Sequence, residues 1–339
     1  MQADVSGRDP TATFHAALRH VAQRLPNVRP VLAGAGAVLE RLPGDPEAPR
    51  LIAAEPVEDD GVRPHRVPGT PTTGFSAFLD GTQQSRVLAW IGAAPIVYGC
   101  VAAAVRVRAA RRLVTWREPI EQRRVYAPLT YTVDAALADA FPRQTLVDTA
   151  TPDAGGVIPP PHPTLLLERA RLAVSRDREE IERRLAERWC RDEQRTLLID
   201  GGIGASEAVA QAPCVVGVVK SHRTLYVDGA ALQAVLALSR GERSTVIRIA
   251  PRGRSSVLSW YLRLRTHDGH DALWGLVRVE VADTERSVPL PDHARVAGRA
   301  DTVSRWLLAE LEPISLPDPR WDKMVYGVRN VEEYLKARV

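Results

Sequence analysis

The sequence predicts an α/β fold, a mixed sheet with helices on its faces. Three observations carry this. Residues 74–109 hold successive strand-like apolar runs, "FSAFLDG", "RVLAWIGA" and "PIVYGCVAAAVRVRA", with tight-turn signals between them. They read as a meander of about three strands. Thr164–Arg188 then carries Leu167, Ala170, Leu172, Val174, Ile181 and Leu185 at helical spacing among arginines and glutamates, which is a long amphipathic helix. Beyond it strands and helices alternate: "RTLLIDGG", a short helix at Ala205–Ala210, "CVVGVVK", and the helix "GAALQAVLALSRG" with Gly241 as its stop. A meander followed by αβ units gives a sheet of mixed direction.

The remaining elements follow in order. Residues 1–70 read as an N-terminal extension, with an amphipathic helix over Thr11–Arg24 and then a run of prolines. "LAGAGA" lacks the third glycine and following helix of a dinucleotide loop. Residues 71–339 form the main domain. "RLVTW" is a further candidate strand, and 117–163, rich in Pro and Arg, reads as an inserted excursion. "STVIRIA", "SVLSWYLRL" and "ALWGLVRVEVA" are late strands, and helices close the chain over about 300–310 and 320–336. The longest apolar stretch, Val87–Val107, is broken by Gly92, Pro95 and Gly99, so no membrane span is expected. Met1–Pro10 has no basic and apolar pattern of a signal peptide. Cys100, Cys190 and Cys214 form no disulfide framework or zinc pair, and a cytoplasmic location is expected.

Charge is unusual in kind rather than amount. Of 45 basic residues only Lys220, Lys323 and Lys336 are lysines, and 41 acids leave a net charge of +4. The guanidinium fork suits phosphate, which puts nucleic acid among the expected partners. Arg106, Arg108, Arg111 and Arg112, with the cluster at Arg117–Arg124, are candidate phosphate contacts beside the meander. A solvated arginine-rich surface is the other reading.

Two carboxylates stand out. Asp80 in "FLDGT" and Asp200 in "LLIDGG" each end an apolar strand-like run and precede glycine. Asp-Gly is also a common turn dipeptide. Two such sites in one mixed sheet favour a ligand site, because ligands collect at strand ends. Two-metal phosphodiester chemistry needs carboxylates from separate elements, holding ions about 4 Å apart, and oxygen ligands suit Mg²⁺ or Mn²⁺. A third ligand is expected on the long helix. A strand of about 17 Å matches about 11 helical residues, which leads back from about residue 190 to Glu179. Glu182, three residues on, shares that face.

"FLDG", the helix with "REEIE", "LLIDGG", "CVVGVVKSH", "WYLRL" and "VRVEV", in that order over about residues 74–285, resemble the NurA family of DNA-end-processing nucleases. The resemblance implies an RNase H-like core, Mn²⁺- or Mg²⁺-dependent DNA cleavage, a homodimer, and a HerA-type hexameric ATPase as partner. It matches Asp80 and Asp200 to metal-binding aspartates and a helical glutamate between them. The 18-residue distance to Asp200 favours Glu182, so Glu179 and Glu182 both stand. Lys220 matches the lysine closing a core strand, and Glu280 a glutamate of a late strand. The family's C-terminal proline-rich segment and histidine are replaced by "LPDPRWDKMVYGVRNVEEYL". Asp318, Asp322 or Tyr326 stands in that region, and an acid at the start of the last helix favours Asp322. The departure leaves a second reading, an adaptor of the same fold that binds the ATPase and DNA without cutting. A third is an RNase H-like enzyme acting on RNA or branched DNA.

Other chemistries lack their residues. No GxSxG is present, and His267 and His270 lie in a hairpin-like "THDGHD". Trp116, Trp260, Trp274, Trp306 and Trp321 are either base-stacking or core residues.

Overall fold

The computed structural model describes residues 12–24, 28–30, 48–109, 112–132, 140–152, 155–250, 253–266, 271–284, 292–311 and 325–338. In chain order the principal elements are helix α1 (Ala12–Arg24), strands β1 (Ala77–Ile91), β2 (Ala94–Ala109) and β3 (Ile120–Ala127), helix α2 (Pro163–Asp192), β4 (Leu197–Asp200), β5 (Val215–Val219), β6 (Val257–Arg263), β7 (Leu276–Ala282), and helices α3 (His293–Ala309) and α4 (Tyr326–Lys336). The fold is α/β, with a large mixed sheet flanked by helices.

Across the sheet the order is Leu146–Asp148, β3, β2, β1, β4, β5, β7, β6, Ile247–Ile249 and Glu55–Pro56. The β1–β2–β3 meander is antiparallel. β4 lies parallel to β1, and β5 parallel to β4. β7 and β6 extend the sheet antiparallel.

Strand alternation sorts side chains between two cores. Ala77, Leu79, Leu197, Ile199 and Val215 face α2, meeting Ala170, Val174, Ile181, Leu185 and Trp189. Phe78, Leu198, Val216 and Val218 face the other way, against Val303 and Leu307 of α3 and Val328, Val331 and Leu335 of α4. α1 covers a third cluster at the far end of the meander.

Three boundaries differ from the sequence expectation. β1 does not end at Asp80-Gly81; it runs through them for 15 residues. The dipeptide is strand here because Asp80 and Gly81 pair with Ala104 and Ala103 of β2. The third strand of the meander is Ile120–Ala127, inside the segment read as an excursion. Its outer half alternates charged residues with half-buried ones and so mimics a polar loop. Arg112–Thr115 pairs only with the end of β2. The expected N-terminal extension is not separate over its last residues: Glu55–Pro56 and Pro64–Arg66 join the sheet, and Val57 and Val67 are core. Arg243, buried, holds Glu58 through two 2.7 Å bonds and Asp301 of α3 through one of 2.6 Å.

The other aromatic and thiol expectations resolve simply. Trp260 is buried and donates to Ser304, and Trp116 packs edge-on against buried Trp189. Trp321, His267 and His270 lie outside the described residues. The cysteines are free, with Cys100 buried. Among the described residues, no helix is long and apolar enough to cross a membrane.

Candidate metal centre

The β1–β4 register sets the first two candidate carboxylates side by side. Leu197 pairs with Ala77 and Ile199 with Leu79, so one further step brings Asp200 beside Asp80. Both share the parity of Phe78 and Leu198 and therefore point to the α4 face. α4 supplies the third carboxylate. Oxygen atoms of Asp80, Asp200 and Glu332 all lie within 4.8 Å of one another. Asp80 is 4% exposed, and Asp200 and Glu332 are partly open.

Glu332 is not among the sequence candidates. Its signal is its position four residues after Val328 and beside Val331, on the buried stripe of α4, where an acid is costly unless it has a use. Asp318 and Asp322 lie outside the described residues, and Tyr326 is 40% exposed at the start of α4.

Glu182 approaches from the opposite face, on α2. An added Cβ at Gly81 would stand 2.1 Å from Glu182 Oε1, so the carboxylate lies directly over the glycine next to Asp80. It is not in the 4.8 Å cluster. Arg178 holds it at 2.5 Å and also donates to Gln83 of β1 at 3.1 Å. Glu179 does not turn inward: it is 60% exposed and lies 3.7 Å from Arg178. α2 extends to Asp192, beyond the assumed end, and counting back about 11 residues from there lands next to Glu182.

The electrostatics are those of crowded acid. Burial, then the charges of Asp200 and Glu332, hold the Asp80 carboxyl well above the usual range; Lys220 opposes this. Burial raises Glu182 to about 7, against the pull of Arg178, with Asp200 adding to the rise. Asp80 Oδ1 accepts from the Gly81 amide at 2.8 Å, but its buried Oδ2 has no hydrogen-bond partner among the described residues. Lys220 Nζ meets Asp200 Oδ2 at 2.9 Å, so the expected cation at the strand end orients a carboxylate. Glu280 is buried rather than surface-facing. It accepts from the Ile203 amide at 2.8 Å and from Arg278 at 2.5 Å, fixing the glycine-rich loop after Asp200.

A pH dependence follows. In the folded chain both acids keep protons that the unfolded chain, near its ordinary value of 4.5 for Glu182, would release. Between about pH 4.5 and 7 the native state therefore binds more protons, and stability falls as pH rises. With chelator present, the melting temperature of wild type should drop across this window relative to Glu182→Gln. Parallel melting curves for the two proteins would contradict it.

Gly81→Ala tests the approach of Glu182. The Cβ would also stand 2.8 and 2.9 Å from Glu182 Cδ and Cγ, and that side chain is buried and held by Arg178, so the expected loss of stability is about 1–3 kcal/mol. Affinity of the site for an added divalent ion should fall about 10–100-fold, the range for groups that support metal ligands. Urea melts and Mn²⁺ titration read both; unchanged affinity would deny Glu182 a part in the site.

Two of the four expected meander arginines are not free surface cations. Arg106 and Arg108 lie on the α4 face of β2 and are engaged internally. Arg106 donates to Leu113 O, Thr115 and Asn330 and stacks on Tyr334. Arg108 grips both oxygens of Glu310 at 2.8 Å. Arg112 is exposed, and Arg111 lies outside the described residues. Arg117 and Arg124 pair with Asp192 and Asp177. The arginines that surround the site are elsewhere. A cleft of about 970 Å³ opens onto Asp200 and Glu182 and, among the described residues, is lined by seven of them. Arg178 is engaged as above, Arg183 pairs with Glu180 and Glu187, Arg248 with Asp283, and Arg278 with Glu280.

A second acidic group, Glu58, Asp59 and His65, is also close-set. Its carboxylates are already bonded, Glu58 to Arg243 and the Val246 amide, Asp59 to Arg63 and His65.

No family model matches the chain, and no curated protein matches it.

Proposed function

We propose that this chain is a divalent-metal-dependent deoxyribonuclease of the NurA type, with an RNase H-like core. The observation that carries the reading is the meeting of Asp80, Asp200 and Glu332, from two adjacent strands and a facing helix, around a buried oxygen that lacks a partner. The all-oxygen donor set fits Mn²⁺ or Mg²⁺. The sheet order β3–β2–β1–β4–β5, with an antiparallel meander and two following parallel strands, supports the RNase H-like assignment.

Asp80, Asp200 and Glu332 would hold the metal, and Glu182 stands beside them on the other face. Such ions, when bound, activate water and neutralise charge at a phosphodiester. The protein's own part is to assemble the acids. β1 and β4 place two carboxylates in register, α4 brings the third, and Lys220 keeps Asp200 turned toward them. Arg178 keeps Glu182 over Gly81. The resemblance further assigns a homodimer and a HerA-type ATPase that delivers DNA. Glu332 supplies an acid from the C-terminal region, where the sequence departs from the family pattern, and this favours an enzyme over the adaptor reading.

The test is cleavage of labelled DNA with Mn²⁺, Mg²⁺ or chelator, with and without a HerA-type ATPase. Metal-dependent cleavage is expected, along with a rise in melting temperature on adding Mn²⁺. Binding to the ATPase and DNA with no cleavage in any metal would select the adaptor.

A further inference from the structure

The cleft has a wall that the carboxylate site does not require. Arg50–Leu51 pairs in parallel with Thr224–Leu225 as a two-stranded sheet apart from the main one. The Arg50 amide donates to Arg223 O at 2.8 Å, and the Ile52 amide to Leu225 O at 2.9 Å. The pair buries little: Leu51 is 54% exposed and Ile52 40%. Two residues of exposed strand contribute little to stability, so folding alone does not account for them.

The pair does bring Arg50 and Arg223 to one side of the cleft. Exposed Arg254 joins the lining, where its side chain runs past Gly204 of the loop that follows Asp200. Ile52 and Tyr226 add apolar and aromatic surface to the same lining. A cleft lined by both cations and flat apolar surface suits a single nucleic-acid strand, whose phosphates and base faces are both accessible.

We infer that Arg50, Arg223 and Arg254 are positioning residues that carry the phosphate backbone of a single strand along the cleft to Asp200, with residues 50–55 as one wall. This rests on the nuclease reading for the destination of the strand, but the binding surface can be tested without it.

The experiment uses the full chain, with Arg50→Glu, Arg223→Glu and Arg254→Glu singly and together. Fluorescence anisotropy with a labelled single-stranded oligonucleotide in chelator gives Kd across a salt series. Cleavage with Mn²⁺ gives KM and kcat, and melting curves with and without Mn²⁺ report the fold and the metal site. The triple variant should keep the Mn²⁺ shift and weaken binding at least about tenfold. It should also flatten the log–log salt slope by about 2, since each neutralised phosphate on a single strand contributes roughly 0.7 to that slope. Its KM should rise more than its kcat falls. Variants that bind with the wild-type Kd and slope while still cutting would overturn the cleft proposal and leave the nuclease reading standing. Wild type that binds in this arginine-dependent way but never cuts would uphold the cleft and reject the nuclease. No binding by wild type would reject the cleft outright.

Discussion

Asp80→Asn should lower Mn²⁺-dependent cleavage by at least about 100-fold while raising the melting temperature of the metal-free protein. On the proposed function, the loss of activity follows from removing one preorganised charged group at the metal centre. The gain in stability follows from burial. Asp80 is nearly inaccessible, sits among the carboxylates of Asp200 and Glu332, and leaves Oδ2 without a hydrogen bond. An amide of the same shape removes the repulsion and can donate to a neighbouring carboxylate. The opposite signs separate a ligand from a structural acid. A residue kept for the fold would lose stability on substitution, and one kept for metal gains it. The Mn²⁺ stabilisation of wild type should vanish in the variant, because the shift depends on ligand binding to the native state. Wild-type cleavage, or a lower melting temperature than wild type in chelator, would remove Asp80 from the site.

Arg243→Met should destabilise the chain by about 3–5 kcal/mol, because it leaves buried Glu58 with an uncompensated charge. The Glu58 carboxylate would retain only the Val246 amide. Asp301, one fifth exposed, can turn to water and adds less. For a chain of this size that is a fall of roughly 10 °C in melting temperature. The double variant Glu58→Leu with Arg243→Met should recover much of the loss, since an apolar pair of similar volume replaces a buried ion pair at little cost. A single variant melting within about 1 °C of wild type would show that the N-terminal residues are not tied to α3 through this pair.

The parts of this molecule that announce themselves in sequence are those with strong local periodicity. The apolar meander and α2 are legible because their stripes are nearly unbroken, and Asp80 and Asp200 stand out as acids at apolar runs. Where sequence and structure part, tertiary context is the reason. β3 carries Glu121, Arg123 and Arg124 because its outer half is open, so its pattern resembles a loop. Arg106 and Arg108 look like a surface patch, but strand alternation turns both toward α4, where Asn330 and Glu310 receive them. Asp80-Gly81 carries a turn signal that pairing with β2 overrides. Glu332 hides because it sits two turns into the final helix, on its buried stripe, rather than at the helix start where an acid is expected.

Gly81 and Gly327 give the site a second kind of specification. Over Gly81 lies the carboxylate of Glu182, and an added Cβ at Gly327 would sit 2.3 Å from the ring of Phe78. One glycine admits a side chain from the layer above the sheet; the other lets the helix bearing Glu332 settle onto the layer below. The acids decide what chemistry is available, and the two empty positions decide whether the three layers stand close enough to share it. Part of the blueprint of this site is therefore written in atoms that are not there, and substitutions at these glycines would act on spacing while every ligand kept its identity.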